Sequence, residues 1–204
     1  MRADTVPEDT VPEETRVHPA QVRRRQPYHD DPHQSALRSR CYSWADPAAL
    51  AAAARELDGI AFLQSILDGT LPAAPIAATL DFVPVSLEPG TVVFGFTPAE
   101  FHYNPIGSVH GGVISTLCDS ACGCAVQSLL PAGSYYTSLD LSVKFLRAVT
   151  SATGPLTCEG TSTHLGSRSA LAQARLTDAS GKLYAHATSS CLIFRPDNGV
   201  RPPG

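Results

Sequence analysis

Between Gly111 and Leu130 the chain carries one formal charge, Asp119. Eight residues before it stands the pair Gly111-Gly112, preceded by the polar run Asn104-Pro105-Ile106-Gly107-Ser108-Val109-His110. A glycine pair opening a helix offers unhindered backbone N–H groups at the positive end of the helix dipole, where a carbonyl or oxyanion can be held. A carboxylate in the same element can act on that carbonyl as a nucleophile or as a base toward water. Asp is a poor helix former and this one lies beyond the first turn, where the dipole would favour it. A purely structural part for Asp119, hydrogen-bonded at a subunit contact or simply exposed, is the competing expectation. The eight steps from Gly111 to Asp119 span about 12 Å at ~1.5 Å per residue, too far for both groups to reach one carbonyl easily. If both act, Asp119 must come from a second copy of the helix, so a dimer belongs to the chemical expectation.

Stepping residues at 100° sorts this helix. Val113, Ile114, Leu117, Cys118, Ala121, Cys124, Ala125 and Leu129 fill a broad arc that should face a sheet. Asp119 lies outside it with Ser115, Thr116, Cys122, Gly123 and Val126. Their small size predicts an open face that another backbone or a ligand can approach closely.

The flanking sequence supplies the sheet. Asp46-Pro47 starts a helical stretch that Gly59 interrupts and Gly69 and Pro72 end, as one helix or two. A strand around Leu80 to Leu87, with Pro84 placing it at an edge or bulge, turns at Glu88-Pro89-Gly90 into Thr91 to Phe96. Pro131-Ala132-Gly133 ends the central helix. Strands then follow over Tyr136 to Leu146 (with Leu139, Leu141, Val143 and Phe145 on one face), Gly154 to His164, Ser169 to Thr177 and Leu183 to Phe194. Hairpin-length links imply an antiparallel sheet covered on one face by one helix, an α+β fold whose exposed face or edge calls for a second copy.

The 204 residues fit one domain with extensions. Residues 1–44 read as a disordered or loosely ordered arm, 45–196 as the folded domain with a helical segment at its start, and 197–204 as a flexible Pro/Gly-rich tail. Arg23-Arg24-Arg25 reads as a solvated charge run. A net charge of −4 argues against a nucleic-acid partner, and no run is long and apolar enough for a membrane span. The six cysteines show no disulfide framework and no metal-ligand spacing, so free core thiols in a cytoplasmic setting are expected.

At these residues the sequence resembles the hotdog-fold acyl-CoA thioesterases of the PaaI-like, phenylacetate-degradation branch. The resemblance is carried by Asn104, His110-Gly111-Gly112 and Asp119, by Tyr136 to Arg147, and by Gly181 to Thr188, and it covers about residues 56–195. It implies about six antiparallel strands wrapped around one long central helix, assembled as a homodimer, often a homotetramer, with active sites at the dimer interface. By the same resemblance Gly111 N–H polarises the thioester carbonyl and Asp119 is nucleophile or general base. Asn104 positions water or the thioester, and Ser138 assists, with Thr137 its substitute if the strand aligns one residue differently. His110 and Gly112 shape the substrate loop, and Arg147 and Arg168 are candidates to meet the phosphates of an acyl-CoA. No metal or prosthetic group is implied. The alternatives are a non-catalytic acyl-CoA-binding module, and a hydratase or dehydratase, which would want a His soon after Asp119, whereas the next is His164. A cysteine hydrolase using Cys118 or Cys122 has no base placed by spacing. The arm could also tether a partner.

Overall fold

The computed structural model describes residues 38–195; the arm up to residue 37, Arg23-Arg24-Arg25 and the tail from residue 196 lie outside the described residues. Of the described residues, 41–195 pack as one unit. The helical stretch is two helices, α1 (Pro47–Glu56) and α2 (Gly59–Leu67). Asp46 caps the first and Asp58 the second, each accepting a backbone N–H from the opening turn. Capping by Asp58, which the sequence reading had not singled out, is what makes the break a second start.

A third short helix, α3 (Pro75–Leu80), occupies the place where a strand was expected to begin. Pro75 starts it and Asp81, in the left-handed region at φ 57°, ends it. Strand β1 (Phe82–Glu88) pairs with β2 (Thr91–Phe96) across the expected turn. β1 is an edge strand with its register broken between Pro84 and Ser86, as the proline requires. The central helix α4 (Gly111–Gln127) follows, then β3 (Tyr135–Ser138) and β4 (Ser142–Phe145). The long strands β5 (Leu156–Leu165), β6 (Ser169–Asp178) and β7 (Leu183–Phe194) complete one antiparallel sheet in the order β1-β2-β5-β6-β7-β3, with β4 also on β7.

The sheet has seven strands because the expected Tyr136–Leu146 strand is interrupted. At Asp140 the backbone carbonyl accepts from the Ser189 hydroxyl at 2.7 Å, and the carboxylate accepts from both the N–H and the hydroxyl of Ser190. Those Ser190 bonds hold the Asp140 carboxyl below its ordinary range. The interruption breaks the predicted alternation: Leu141 and Val143 pack on the core, whereas Leu139 and Phe145 are exposed.

The core lies between α4 and the sheet. Ile114, Leu117, Cys118, Ala121 and Ala125 are buried there, on the predicted arc. Val113, Cys124 and Leu129 of that arc are only partly buried. Helix and sheet approach very closely: a Cβ added to Gly160 of β5 would stand 2.1 Å from the carbonyl oxygen of Ala121. Backbone cannot yield there as a side chain can. Gly160→Ala should therefore destabilise the fold by about 3 kcal/mol, read as a lowered midpoint in denaturant unfolding with the slope unchanged.

Candidate functional site

Asp119 lies half-buried on the flank of α4 that faces β3. The Ser138 hydroxyl donates to its Oδ1 at 2.9 Å, while Oδ2 has no donor among the described residues. Alternation along β3 explains the choice of partner. Ser138 and Tyr136 project toward α4, so Thr137 lies on the opposite face of the strand and is not brought to Asp119.

The amino end of α4 is built by the preceding loop. Asn104 Oδ1 accepts the N–H groups of Ile106 at 3.0 Å and Ser108 at 3.3 Å, and its Nδ2 donates to Ser108 Oγ at 3.2 Å. The carboxamide thus folds the loop, and one Nδ2 hydrogen stays available. His110 is the N-cap of α4: its Nδ1 accepts the Gly112 N–H at 2.9 Å. This corrects the expectation of two free donors. The Gly112 N–H is occupied, whereas the Gly111 N–H has no acceptor among the described residues.

Gly111 faces a pocket of about 330 Å3 that Asn104, Ile114, Phe145 and Arg147 also line. Phe145 stands over it; a Cβ on Gly111 would lie 3.1 Å from the ring. Arg147 Nη1 donates to the Leu183 carbonyl, which anchors the guanidinium at the rim. Arg168 is exposed in the β5–β6 turn, with its carbonyl bonded to Ile193 N–H. The two arginines therefore sit against opposite ends of β7, about 30 Å apart at ~3.3 Å per residue, and one chain does not bring them together.

The small-residue face is not open, contrary to expectation. Cys122, Gly123 and Val126 are buried. The Tyr136 ring fills the space beside Gly123, where a Cβ would lie 1.9 Å from the phenol oxygen. The sequence reading places Tyr136 and Phe145 in one strand but not against these glycines, because an aromatic aligned with a helical glycine across a sheet leaves no local signal.

The cysteines are all free, and only Cys41 is exposed. Burial pushes the Cys122 thiol up to about 12, helped by Cys118, and does the same to Cys124, helped by Asp119. No cluster of metal-binding side chains occurs among the described residues. No helix among them is long and apolar enough to cross a membrane.

The described sheet wrapped on one long helix is that of the hotdog thioesterases. The thioesterase superfamily model matches residues 106–185, from the loop before α4 into β7. A candidate esterase of Saccharolobus solfataricus is 32% identical over 116 residues, 57% of this chain and 81% of that protein. A candidate esterase of Halobacterium salinarum is 34% identical over 99 residues, 45% of this chain and 64% of that protein's length. Among solved structures, a candidate thioesterase from Ralstonia eutropha, a phenylacetic acid degradation-related protein, has 26% identity and a TM-score of 0.58, covering 63% of this chain and 97% of its own. A Streptococcus mutans protein bound to acetyl-CoA has 27% identity and a TM-score of 0.51, covering 55% of this chain and 88% of its own. The chain belongs to the thioesterase superfamily, a family of hydrolases.

A thiol near 12 at pH 8 is thiolate in only about one molecule in ten thousand. Alkylation with iodoacetamide at pH 8 should therefore modify Cys41 first and leave thioester hydrolysis intact. Mass spectrometry of the labelled protein, paired with a rate measurement, checks this.

Proposed function

We propose that the protein hydrolyses the thioester of an acyl-CoA to the free acid and CoA, with Asp119 as nucleophile or general base and the Gly111 N–H of a second copy as oxyanion donor. The observation that carries this reading is the pairing of a serine-held carboxylate on the flank of α4 with an unoccupied N–H at the amino end of the same helix. Hydrolysis places a hydroxyl on the acyl carbon, breaks the C–S bond and returns a proton to the sulfur. Negative charge develops on the carbonyl oxygen, where an N–H at the positive end of a helix dipole is worth most. The Ser138 hydroxyl fixes one Asp119 oxygen and leaves the other for water or the acyl carbon. Asn104 shapes the pocket and retains an N–H for water or the thioester. Arg147 at the pocket rim and Arg168 of the other copy are suited to the CoA phosphates.

A homodimer supports the distance argument, and the β3–β4 edge supplies a surface for it. Leu139, Phe145 and Leu146 are half or more exposed along that sheet edge, a patch that a monomer would cover. We assign the dimer to this edge, with pairing of dimers into a homotetramer on a further face. The free thiols suit work in the cytoplasm.

Gly111 is the first residue of α4, so Gly111→Pro removes the N–H at a position where proline is tolerated, and His110 at ψ 135° already has the extended backbone a following proline needs. Asp119→Ala and Gly111→Pro should each lower kcat/KM for an acyl-CoA by about a hundredfold or more. Refolding the two variants together at equal amounts should restore about a quarter of the wild-type rate, since half the dimers are mixed and each carries one intact site. A mixture as inactive as its components contradicts a shared site. A rate unchanged in Asp119→Ala removes Asp119 from the chemistry, and tight acyl-CoA binding without hydrolysis in the wild type identifies a binding module instead.

A further inference from the structure

Phe145 is a large apolar side chain that core packing does not place. It shares a face of β4 with Val143, which packs on the core, yet half of it stays exposed. Its backbone is pinned all the same. Leu146 and Arg147 both donate their N–H groups to the Tyr184 carbonyl, at 2.8 and 3.2 Å, and Arg147 Nη1 donates to the Leu183 carbonyl. The loop before α4 is tied to the same segment where the Val109 N–H donates to the Val149 carbonyl at 2.8 Å. These bonds fix both walls of the pocket at Gly111. Between the walls the Phe145 ring meets Gly111 tip first. A Cβ on Gly111 would lie 3.1 Å from Cζ and 3.5 and 3.6 Å from the two Cε atoms, distances that mark an end-on ring. The edge of an aromatic ring is the positive part of its quadrupole and the face the negative part. That positive edge stands beside Gly111, whose N–H has no acceptor among the described residues.

We propose that Phe145 is a positioning residue: the tip of its ring shields the Gly111 N–H from water and leaves that donor for the carbonyl oxygen of the thioester. The inference rests on the thioesterase reading of the site and adds to it the side chain that keeps the donor available. A backbone N–H open to water already has an acceptor, so exchanging that acceptor for a carbonyl gains little. Beside an apolar wall the same N–H is set before the substrate arrives, and the charge developing on the carbonyl oxygen meets a donor that need not first give up water. The positive ring edge adds a weak C–H contact to that charge, whereas the ring face would repel it. Glycine at 111 is what admits the ring, because a Cβ at 3.1 Å would push the tip away. The glycine therefore serves the aromatic wall as well as the helix start.

The test compares wild type, Phe145→Leu and Gly111→Ala. The first keeps an apolar side chain at 145 but removes the ring tip; the second keeps the N–H and displaces the ring. On butyryl-CoA each variant should lose about tenfold in kcat with KM nearly unchanged. Two analogues that resist hydrolysis read the same donor by binding: the amide of butyryl-CoA keeps the carbonyl, and the thioether lacks it. The wild type should bind the amide more tightly than the thioether, and both variants should lose about threefold or more of that preference while the thioether binds as before. A preference unchanged in both variants overturns the proposal. So does an equal weakening of both analogues, which would make Phe145 a contact for the body of the ligand, and so does a wild type that prefers neither analogue. Phe145 belongs to the exposed patch assigned to the dimer, so the mass of each variant in solution is measured as well. If Phe145→Leu changes that mass, Gly111→Ala, which leaves the patch intact, decides the outcome. A wild type that prefers the amide but hydrolyses no thioester sinks the enzymatic reading and not this one.

Discussion

The fold depends on how closely α4 lies on the sheet. The Ala121 carbonyl occupies the space that any side chain at Gly160 would need, so backbone meets backbone with nothing between. That contact sets the depth of the helix, and with it the height of every residue on its flanks. Ile114, Leu117, Cys118 and Ala125 are short enough to fill what remains between helix and sheet. A helix held at a fixed depth beside a strand of matched rise makes a ladder, and Asp119–Ser138 and Gly123–Tyr136 are two rungs of it. Placement of the carboxylate is thus a consequence of core packing, which is how a half-exposed charge acquires a defined position without an ion pair.

Asp119 and the amino end of α4 are held by unrelated means. Ser138 holds Asp119 through one hydrogen bond. The helix start is held by His110, which caps Gly112, and by the Asn104 loop. Only Gly111 keeps its N–H open, and Phe145 walls it from one side. In a hydrolase of this superfamily that division has a clear use. Under the proposed shared site, the donor and the carboxylate need not be adjusted to each other within one chain, since each meets its counterpart in a second copy. The exposed Leu139, Phe145 and Leu146 lie just after β3 and at the end of β4, and Phe145 and Leu146 also line the pocket at Gly111.

The long strands and the central helix were legible because their patterns are local. The strand pair β6 and β7, the Pro84 irregularity and most of the apolar arc of α4 lie where expected. Four things were not legible. The break at Asp140 depends on Ser189 and Ser190, some fifty residues away in sequence. α3 replaced the start of a strand because Pro75 and a left-handed Asp81 define a helix too short for periodicity to reveal. The His110 cap removed one of two expected donors through a side-chain contact that the residue types permit but do not require. The aromatic fillers at Gly111 and Gly123 are tertiary contacts, and the glycines read as open space for that reason. Asp119 stands out in the sequence because a lone carboxylate in a small-residue helix contradicts ordinary helix composition.

The proposed site serves one carbonyl from two chains. The structure of the Asp119→Asn variant with a bound acyl-CoA reads this directly. A shared site has the thioester oxygen accepting the Gly111 N–H of one chain at about 2.9 Å, with residue 119 of the other chain facing the carbonyl carbon. A thioester held by both residues of the same chain, or a carbonyl turned away from Gly111, would contradict it.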